Sequence, residues 1–402
     1  MKGYRYICRK TIFLGLLFGL LSMDEAFSKH LNLSSHEAHF KEHRFNKTIN
    51  NLTKKLRNLS KNPNIRPFNG EVVFAIGGKI IAQQSICQVN HIQSVVRVGY
   101  MKYGIASLTK QITAALILKA VEGGKLRLDD PVAHYLTPDD VDDLTLPKFK
   151  ATIHQILSHT SGFIDGQNEP ICAPGSDFHY ASWGYAVLGQ VLANVYHAPF
   201  STLANRFFQK IGMNHAIAPE RLKISELRQH YQDLMKGYHC DRHDSFEEAN
   251  PEIGGNRGAA GGIIATARDL ILWNQALHHG KVLNLASYKL MIKPYAKSNH
   301  SLFGTFGYGY GLQISKTRAG LEYSHLGHIP GYQSMLLYYP KADLTVVVLI
   351  NSDRLGEDSS LKANKHLRLV REIALDVAVS LQNNRSYFIH NKNQPKNSSI
   401  DE

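Results

Sequence analysis

Between Ile112 and Val121 nearly every residue is apolar, and the pattern leaves no polar side. A helix of that kind is stable in water only when other elements cover it all round. Gly123-Gly124 stops it. The rest of the chain must supply the wrapping. Glu71 to Ile76 and Lys79 to Ala82 are runs rich in β-branched residues, separated by the turn pair Gly77-Gly78, which predicts a hairpin. A third apolar run, Val95 to Val98, precedes the helix. Residues 125 to 250 carry helical patterns, frequent turns and few strand signals. Strand patterns return at Tyr308 to Ile314, Tyr332 to Tyr339 and Leu344 to Ile350. A closing amphipathic helix sets Leu367, Val370, Ile373, Ala374, Val377 and Leu381 on one face. Strands at both ends with helices between them give an α+β fold: an antiparallel sheet flanked by helices of the N- and C-terminal segments, interrupted by a mostly helical insertion.

The N-terminus reads as a secretory signal. Lys2, Arg5, Arg9 and Lys10 precede a short apolar core from Thr11 to Leu21, and Ala26-Phe27-Ser28 offers small residues at the −3 and −1 positions. Asp24 and Glu25 follow the core closely, and the core is short for a bilayer span. Cleavage near Ser28 and export, with the periplasm as destination, are expected; the rival is an uncleaved anchor. Residues 29 to 66 form a basic segment in which Phe45, Ile49, Leu52 and Leu56 recur at helical spacing. Its lysines and arginines read either as a solvated helix face or as peripheral attraction to an anionic envelope. The catalytic domain is expected over residues 67 to 382, and a disordered polar tail over 383 to 402.

With 46 Lys and Arg against 33 Asp and Glu, the formal net charge is +13. No nucleic-acid-binding motif accompanies that charge, so no nucleic acid partner is expected. After cleavage the chain keeps Cys87, Cys172 and Cys240, enough for one disulfide whose pairing the sequence leaves open. His36, His39 and His43, and His239-Cys240 with His243-Asp244, have loosely metal-like spacing. Without HExxH or a paired CxxC they read as surface histidines, and neither metal nor organic cofactor is expected.

The first chemical candidate is Ser107-Leu-Thr-Lys110, directly ahead of the buried helix. Positions i and i+3 share a helix face, so the lysine amine stands one turn from the serine hydroxyl. Burial and the positive helix end are both expected to depress the lysine pKa, which suits an amine that deprotonates a nucleophile. The bland reading is a helix N-cap, and Ser359-Ser-Leu-Lys362 fits the same expression in a polar stretch. Two further candidates follow in order: Tyr180-Ala-Ser182 at the start of an apolar helix, and His325-Leu-Gly327-His328 just before a strand.

In that order the three motifs resemble the serine β-lactamase and penicillin-binding-protein superfamily, closest to its class C β-lactamase, D,D-peptidase and esterase branch. The resemblance covers roughly residues 65 to 382 and includes Leu126 to Pro131, Ile153 to Gly162, Ile211 to Met213 and Ala260 to Asp269. It implies Ser107 as the acylated nucleophile, Lys110 as its activating amine and Tyr180 as the proton shuttle. It also implies main-chain N–H groups of Ser107 and His328 as the oxyanion hole, and Ser182, His325 and Gly327 along the substrate. Two positions depart from the family pattern. Ser182 stands where Asn is usual, and a hydroxyl is shorter than a carboxamide. His325 stands where β-lactamases carry lysine, which favours ester or D-peptide hydrolysis over efficient lactam turnover, with selectivity expected to follow a histidine that titrates near pH 6.5. The implied partner is a small-molecule or peptidoglycan-like substrate. The alternative is a catalytically inactive envelope-binding member of the same fold.

Overall fold

The computed structural model describes residues 48, 51–61, 65, 68–86, 98–137, 140, 150–167, 169–240, 245–255, 258–353 and 365–392. The signal segment, Phe45, Ile49, Val95 to Arg97, Cys87, His243-Asp244 and Ser359 to Lys362 lie outside the described residues.

The predicted hairpin forms from β1 (Gly70–Ile76) and β2 (Lys79–Ile86), turning at Gly77 and Gly78, both at positive φ. Helix α1 (Thr109–Glu122) follows, then α2 (Ile153–Leu157), α3 (Ser182–Tyr196) and α4 (Phe200–Ile211). Short strands β3 (Gly237–Cys240) and β4 (Phe246–Ala249) precede α5 (Ala267–His278) and α6 (Leu285–Met291). The chain then runs through β5 (Ala296–His300), β6 (Gly304–Tyr308), β7 (Gln313–Thr317), β8 (Gly320–Ile329), β9 (Tyr332–Tyr339), β10 (Leu344–Ile350) and β11 (Ser352–Asp353). It closes with α7 (Lys365–Lys392). The main sheet has eight strands in the order β2-β1-β10-β9-β8-β7-β6-β5, antiparallel at every pairing. This is the α+β architecture that the strand and helix signals predict.

Alternation along the central strands builds two cores. Val73 and Ala75 of β1, Leu336 and Tyr338 of β9, and Val347 and Leu349 of β10 face α1, α3 and α5. Their neighbours Val72, Phe74, Met335, Leu337, Val346 and Val348 face the opposite layer. That layer is α7, whose six predicted apolar residues are all buried, together with Leu52 and Leu56 of helical residues 51–59. Lys54, Lys55, Arg57 and Lys61 on the same helical stretch are exposed. A buried ion pair fastens α7: Arg371 Nε donates to both carboxylate oxygens of Glu322, at 3.0 and 3.1 Å, and the Tyr339 hydroxyl donates to Oε2. Among the described residues no helix is long and apolar enough to cross a membrane.

Three boundaries differ from the sequence reading. Tyr308 to Ile314 is not one strand: β6 ends at Tyr308 and β7 begins at Gln313. Between them Gly311 sits at φ +74°, and a Cβ there would come 2.5 Å from the Lys110 carbonyl oxygen. The strand breaks because the chain dips onto the first turn of α1. The helical insertion extends beyond residue 250, through α5 and α6, and its strands β3 and β4 form a small sheet with β11, which follows the last strand of the main sheet. Helix α7 continues to Lys392, past the point at which a tail was expected; just before that stretch, Gln382 Nε2 donates to Ala319 O in the β7–β8 turn.

Candidate active site

Ser107 lies on a single 3₁₀ turn, Ala106–Leu108, that leads into α1. Ala106 carries φ +49°, a left-handed backbone that costs a non-glycine residue of the order of 1 kcal/mol. The turn is held from both sides. Ser334 Oγ of β9 donates to Ile105 O at 2.7 Å, and Ile105 N–H donates to Ile263 O at 3.0 Å. One turn on, Lys110 is fully buried. Its Nζ reaches Ser107 Oγ at 3.0 Å, Ala260 O at 2.7 Å and Ser182 Oγ at 3.4 Å. Three acceptors match the three N–H bonds of an ammonium group.

Ser182 opens α3, and its own side chain caps nothing. The cap comes from Asp165, seventeen residues earlier, whose carboxylate accepts the N–H groups of Ser182 (3.0 Å) and Trp183 (2.8 Å). Negative charge at a helix start satisfies orphan donors and opposes the positive end of the dipole. Tyr180 precedes α3 with 38% of its surface exposed, and its ring lies 5.0 Å from Lys110 Nζ.

His159, within the Ile153 to Gly162 stretch, is a neighbour of the site to which the sequence assigns no role. It is buried, at φ +57°, and its ring centroid lies 4.3 Å from that of Tyr180 and 4.8 Å from that of Tyr308. Its carbonyl accepts the His179 N–H at 2.8 Å, and its Nδ1 accepts the Ala181 N–H at 3.2 Å. One residue thus grips the chain on both sides of Tyr180. Burial, with the nearby positive charge of Lys110 and with His325, drives its pKa well below the ordinary value and keeps the ring neutral. Its signal was the polar run Ser158-His-Thr-Ser161 closing an apolar helix, four buried polar residues in succession.

His325 requires a correction. The expectation placed its ring in front of substrate, titrating near pH 6.5. Instead it is 2% exposed, with Nε2 accepting from the Tyr308 hydroxyl at 2.9 Å and Nδ1 donating to Leu326 O at 2.6 Å. Burial, reinforced by Lys110, pushes its pKa down to about 3. Both nitrogens are engaged, the ring is neutral throughout the neutral range, and it packs beneath Tyr180 at a centroid distance of 6.2 Å.

Gly327 has a packing reason to be small. A Cβ there would meet Ser334 Oγ at 2.3 Å and Ile105 O at 2.5 Å, so it is the Ser107 turn that lies against the strand. His328 follows, paired in register with Gln333. Its side chain is 60% exposed and held through Nε2 to Asp353 Oδ2 at 3.0 Å; the other oxygen of Asp353 takes His239 Nδ1 at 2.6 Å. Burial alone would raise the pKa of Asp353, but these contacts and the Gly331 N–H hold it below the usual carboxylate value. His239 is therefore partnered with a carboxylate. Cys172 is a half-buried free thiol, and Cys240 is buried.

Residues 100–370 match the family model described as Beta-lactamase. The chain belongs to that family. Penicillin-binding protein 4* of Bacillus subtilis (strain 168) is 27% identical over 340 residues, covering 75% of this chain and 72% of that protein. Two solved structures share the fold: D-amino acid amidase from Ochrobactrum anthropi SV3, at a TM-score of 0.63 and 19% identity, covering 82% of this chain and 99% of that one, and D-alanine carboxypeptidase AmpC from Burkholderia cenocepacia, at 0.64 and 18%, covering 81% and 99%. A cavity of about 930 Å³ beside β2, lined by His215, Arg268 and Leu272 among others, includes none of the Ser107-site residues.

Proposed function

We propose that this β-lactamase-family chain is an exported serine hydrolase that works through an acyl-enzyme on Ser107. The observation that carries the reading is the 3.0 Å contact between Ser107 Oγ and the fully buried Lys110 Nζ. In its neutral form the amine has a lone pair that takes the serine proton as Oγ attacks an acyl carbon. The tetrahedral oxyanion is received by the main-chain N–H groups of Ser107 and His328, a role that the close approach of Gly327 to Ile105 supports. Tyr180, beside Lys110, returns the proton to the leaving group and later helps to activate water.

The acyl donors favoured are neutral esters and D-amino-acid peptides or amides, ahead of β-lactams. Ser182 has only a hydroxyl to offer an amide, and His325 brings no charge toward a substrate carboxylate. D-amino acid amidase and D-alanine carboxypeptidase share the fold and bear names that fit this class. The test incubates the protein in parallel with a fluorophosphonate, a penicillin and a chromogenic ester, and reads intact mass. One adduct per chain, absent after Ser107→Ala, supports the proposal. No adduct with any probe would leave a non-catalytic envelope-binding protein instead. N-terminal sequencing of envelope-recovered protein tests export, with a start near Lys29 expected.

A further inference from the structure

We propose that the loop leading into α3 holds one divalent transition cation of the zinc class, through Cys172 Sγ, a carboxylate oxygen of Asp177 and a ring nitrogen of His179. One donor atom from each of the three residues lies within 4.8 Å of the other two.

Fixed backbone causes the convergence. Ile171 N–H donates to Gly162 O at 2.8 Å, Gly175 N–H to Thr160 O at 2.6 Å and His179 N–H to His159 O at 2.8 Å. Gly175 at φ +91° reverses the chain, which folds residues 177 to 179 back toward Cys172. Gly162 has no room for a Cβ, which would fall 2.2 Å from Cys172 O, so the cysteine main chain is seated against its neighbour. Cys172 is a half-buried free thiol, His179 is half-buried and Asp177 is exposed.

The donor set selects the ion. Thiolate with imidazole and one carboxylate suits zinc and its neighbours and disfavours calcium and magnesium, which take oxygen ligands. Bond lengths of about 2.0 to 2.3 Å in a tetrahedral site bring donors within ~3.7 Å of one another, so the side chains close by roughly 1 Å on binding. Three protein donors leave one position for water. As the metal–sulfur bond forms, the Cys172 thiol releases its proton to solvent. The cation would tie His179, the residue before Tyr180, to Cys172 and so stiffen the turn that presents the tyrosine; that consequence, unlike the binding itself, rests on the hydrolase reading.

The probe is cobalt(II), added to chelator-treated, reduced full-length protein. The expected result is one equivalent bound, with a sulfur-to-cobalt charge-transfer band and the visible bands of a tetrahedral site, all displaced by zinc. Cys172→Ser should abolish the charge-transfer band and Cys240→Ser should keep it. Asp177→Asn and His179→Gln should each weaken zinc at least about tenfold while circular dichroism stays native. Absence of the band, its survival in Cys172→Ser, or unchanged zinc affinity in both of the other variants would overturn the site. Ser107→Ala should leave the spectrum intact, so loss of the hydrolase reading and loss of the cation site give different results.

Discussion

Gly327 on β8 faces the carbonyl oxygen of Ile105 so closely that a single added methyl group would sit 2.5 Å from it. Ile105 is two residues before Ser107, and its carbonyl is also the acceptor for Ser334 Oγ. The strand and the Ser107 turn therefore share one contact surface with no slack. Overpacking of this kind costs typically about 1 to 3 kcal/mol where the backbone must move. Gly327→Ala should lower stability by that order and slow fluorophosphonate labelling of Ser107 by more than tenfold. Adding Ser334→Ala removes the 2.3 Å clash but keeps the one with Ile105, so the double variant should regain only part of the stability. Wild-type labelling by Gly327→Ala would show that the turn absorbs the methyl group without moving Ser107.

Lys110→Met tests the buried amine. Its removal orphans the Ala260 carbonyl, but it also removes a fully buried charge, so the two effects oppose each other in stability. Turnover has no such offset, and a lost positioned base is worth about 100-fold or more. Melting temperature should therefore shift by only a few degrees while ester hydrolysis falls at least about 100-fold. Comparable hydrolysis by wild type and variant would remove Lys110 from the mechanism.

Asp165→Ala should cost about 0.5 to 2 kcal/mol, the range for a lost helix cap, because the N–H groups of Ser182 and Trp183 lose their acceptor. Asp165→Asn retains one oxygen acceptor without the charge but turns an NH2 group toward the other N–H, so it should recover only part of that loss. Equal destabilisation by the two substitutions would point to charge alone.

What could be read from the sequence follows how local each signal is. The Gly77-Gly78 hairpin, the apolar Ile112 to Val121 stretch of α1 and the stripe on α7 depend on neighbours within one or two turns, and all three are present. The pairing of Ser107 with Lys110 is also local, a matter of i and i+3. Asp165 capping α3, Gly327 pressing on Ile105 and Gly311 breaking the β6–β7 run depend on segments that only folding brings together. His325 shows the limit most clearly. The motif gives its place beside Tyr180, but its neutrality comes from burial, reinforced by Lys110, and its Nε2 partner is Tyr308, seventeen residues earlier; no short window of sequence reports either.

That burial yields a prediction of its own. His325→Lys would put an ammonium group into a closed site beside Lys110, where only Tyr308 and the Leu326 carbonyl offer hydrogen bonds. An unpaired buried charge is strongly unfavourable. Loss of stability, rather than improved use of carboxylate-bearing substrates, is the expected result. In the wild type, the ratio of neutral-ester to carboxylate-ester hydrolysis should show no histidine-shaped step between pH 6 and 8 that His325→Gln removes. Such a step would return His325 to the substrate side of the cleft.

The acid side of the stability curve should be steep. His278 and His325 are buried with pKa values pushed down to about 3 by desolvation, and His159 lies well below its usual value for the same reason. In the unfolded chain each takes up a proton near pH 6.5, whereas the folded protein refuses it until far lower pH. The unfolded state thus binds more protons through that window, so stability is full above about pH 6.5 and falls as the pH drops, by about 1.4 kcal/mol per unit for each histidine. Glu71 opposes them. Burial raises its pKa to about 7, so between about 4.5 and 7 it is the folded state that holds the extra proton, and stability there falls as the pH rises. The buried histidines outnumber Glu71, so acidification from about pH 6 to 4.5 should lower stability on balance. Urea midpoints measured at half-unit steps would show it. His278→Asn keeps an acceptor for the Tyr288 hydroxyl and should flatten the slope by about 1.4 kcal/mol per unit, while Glu71→Gln should steepen it by a similar amount. Three parallel curves would mean that these groups titrate alike in the folded and unfolded chains.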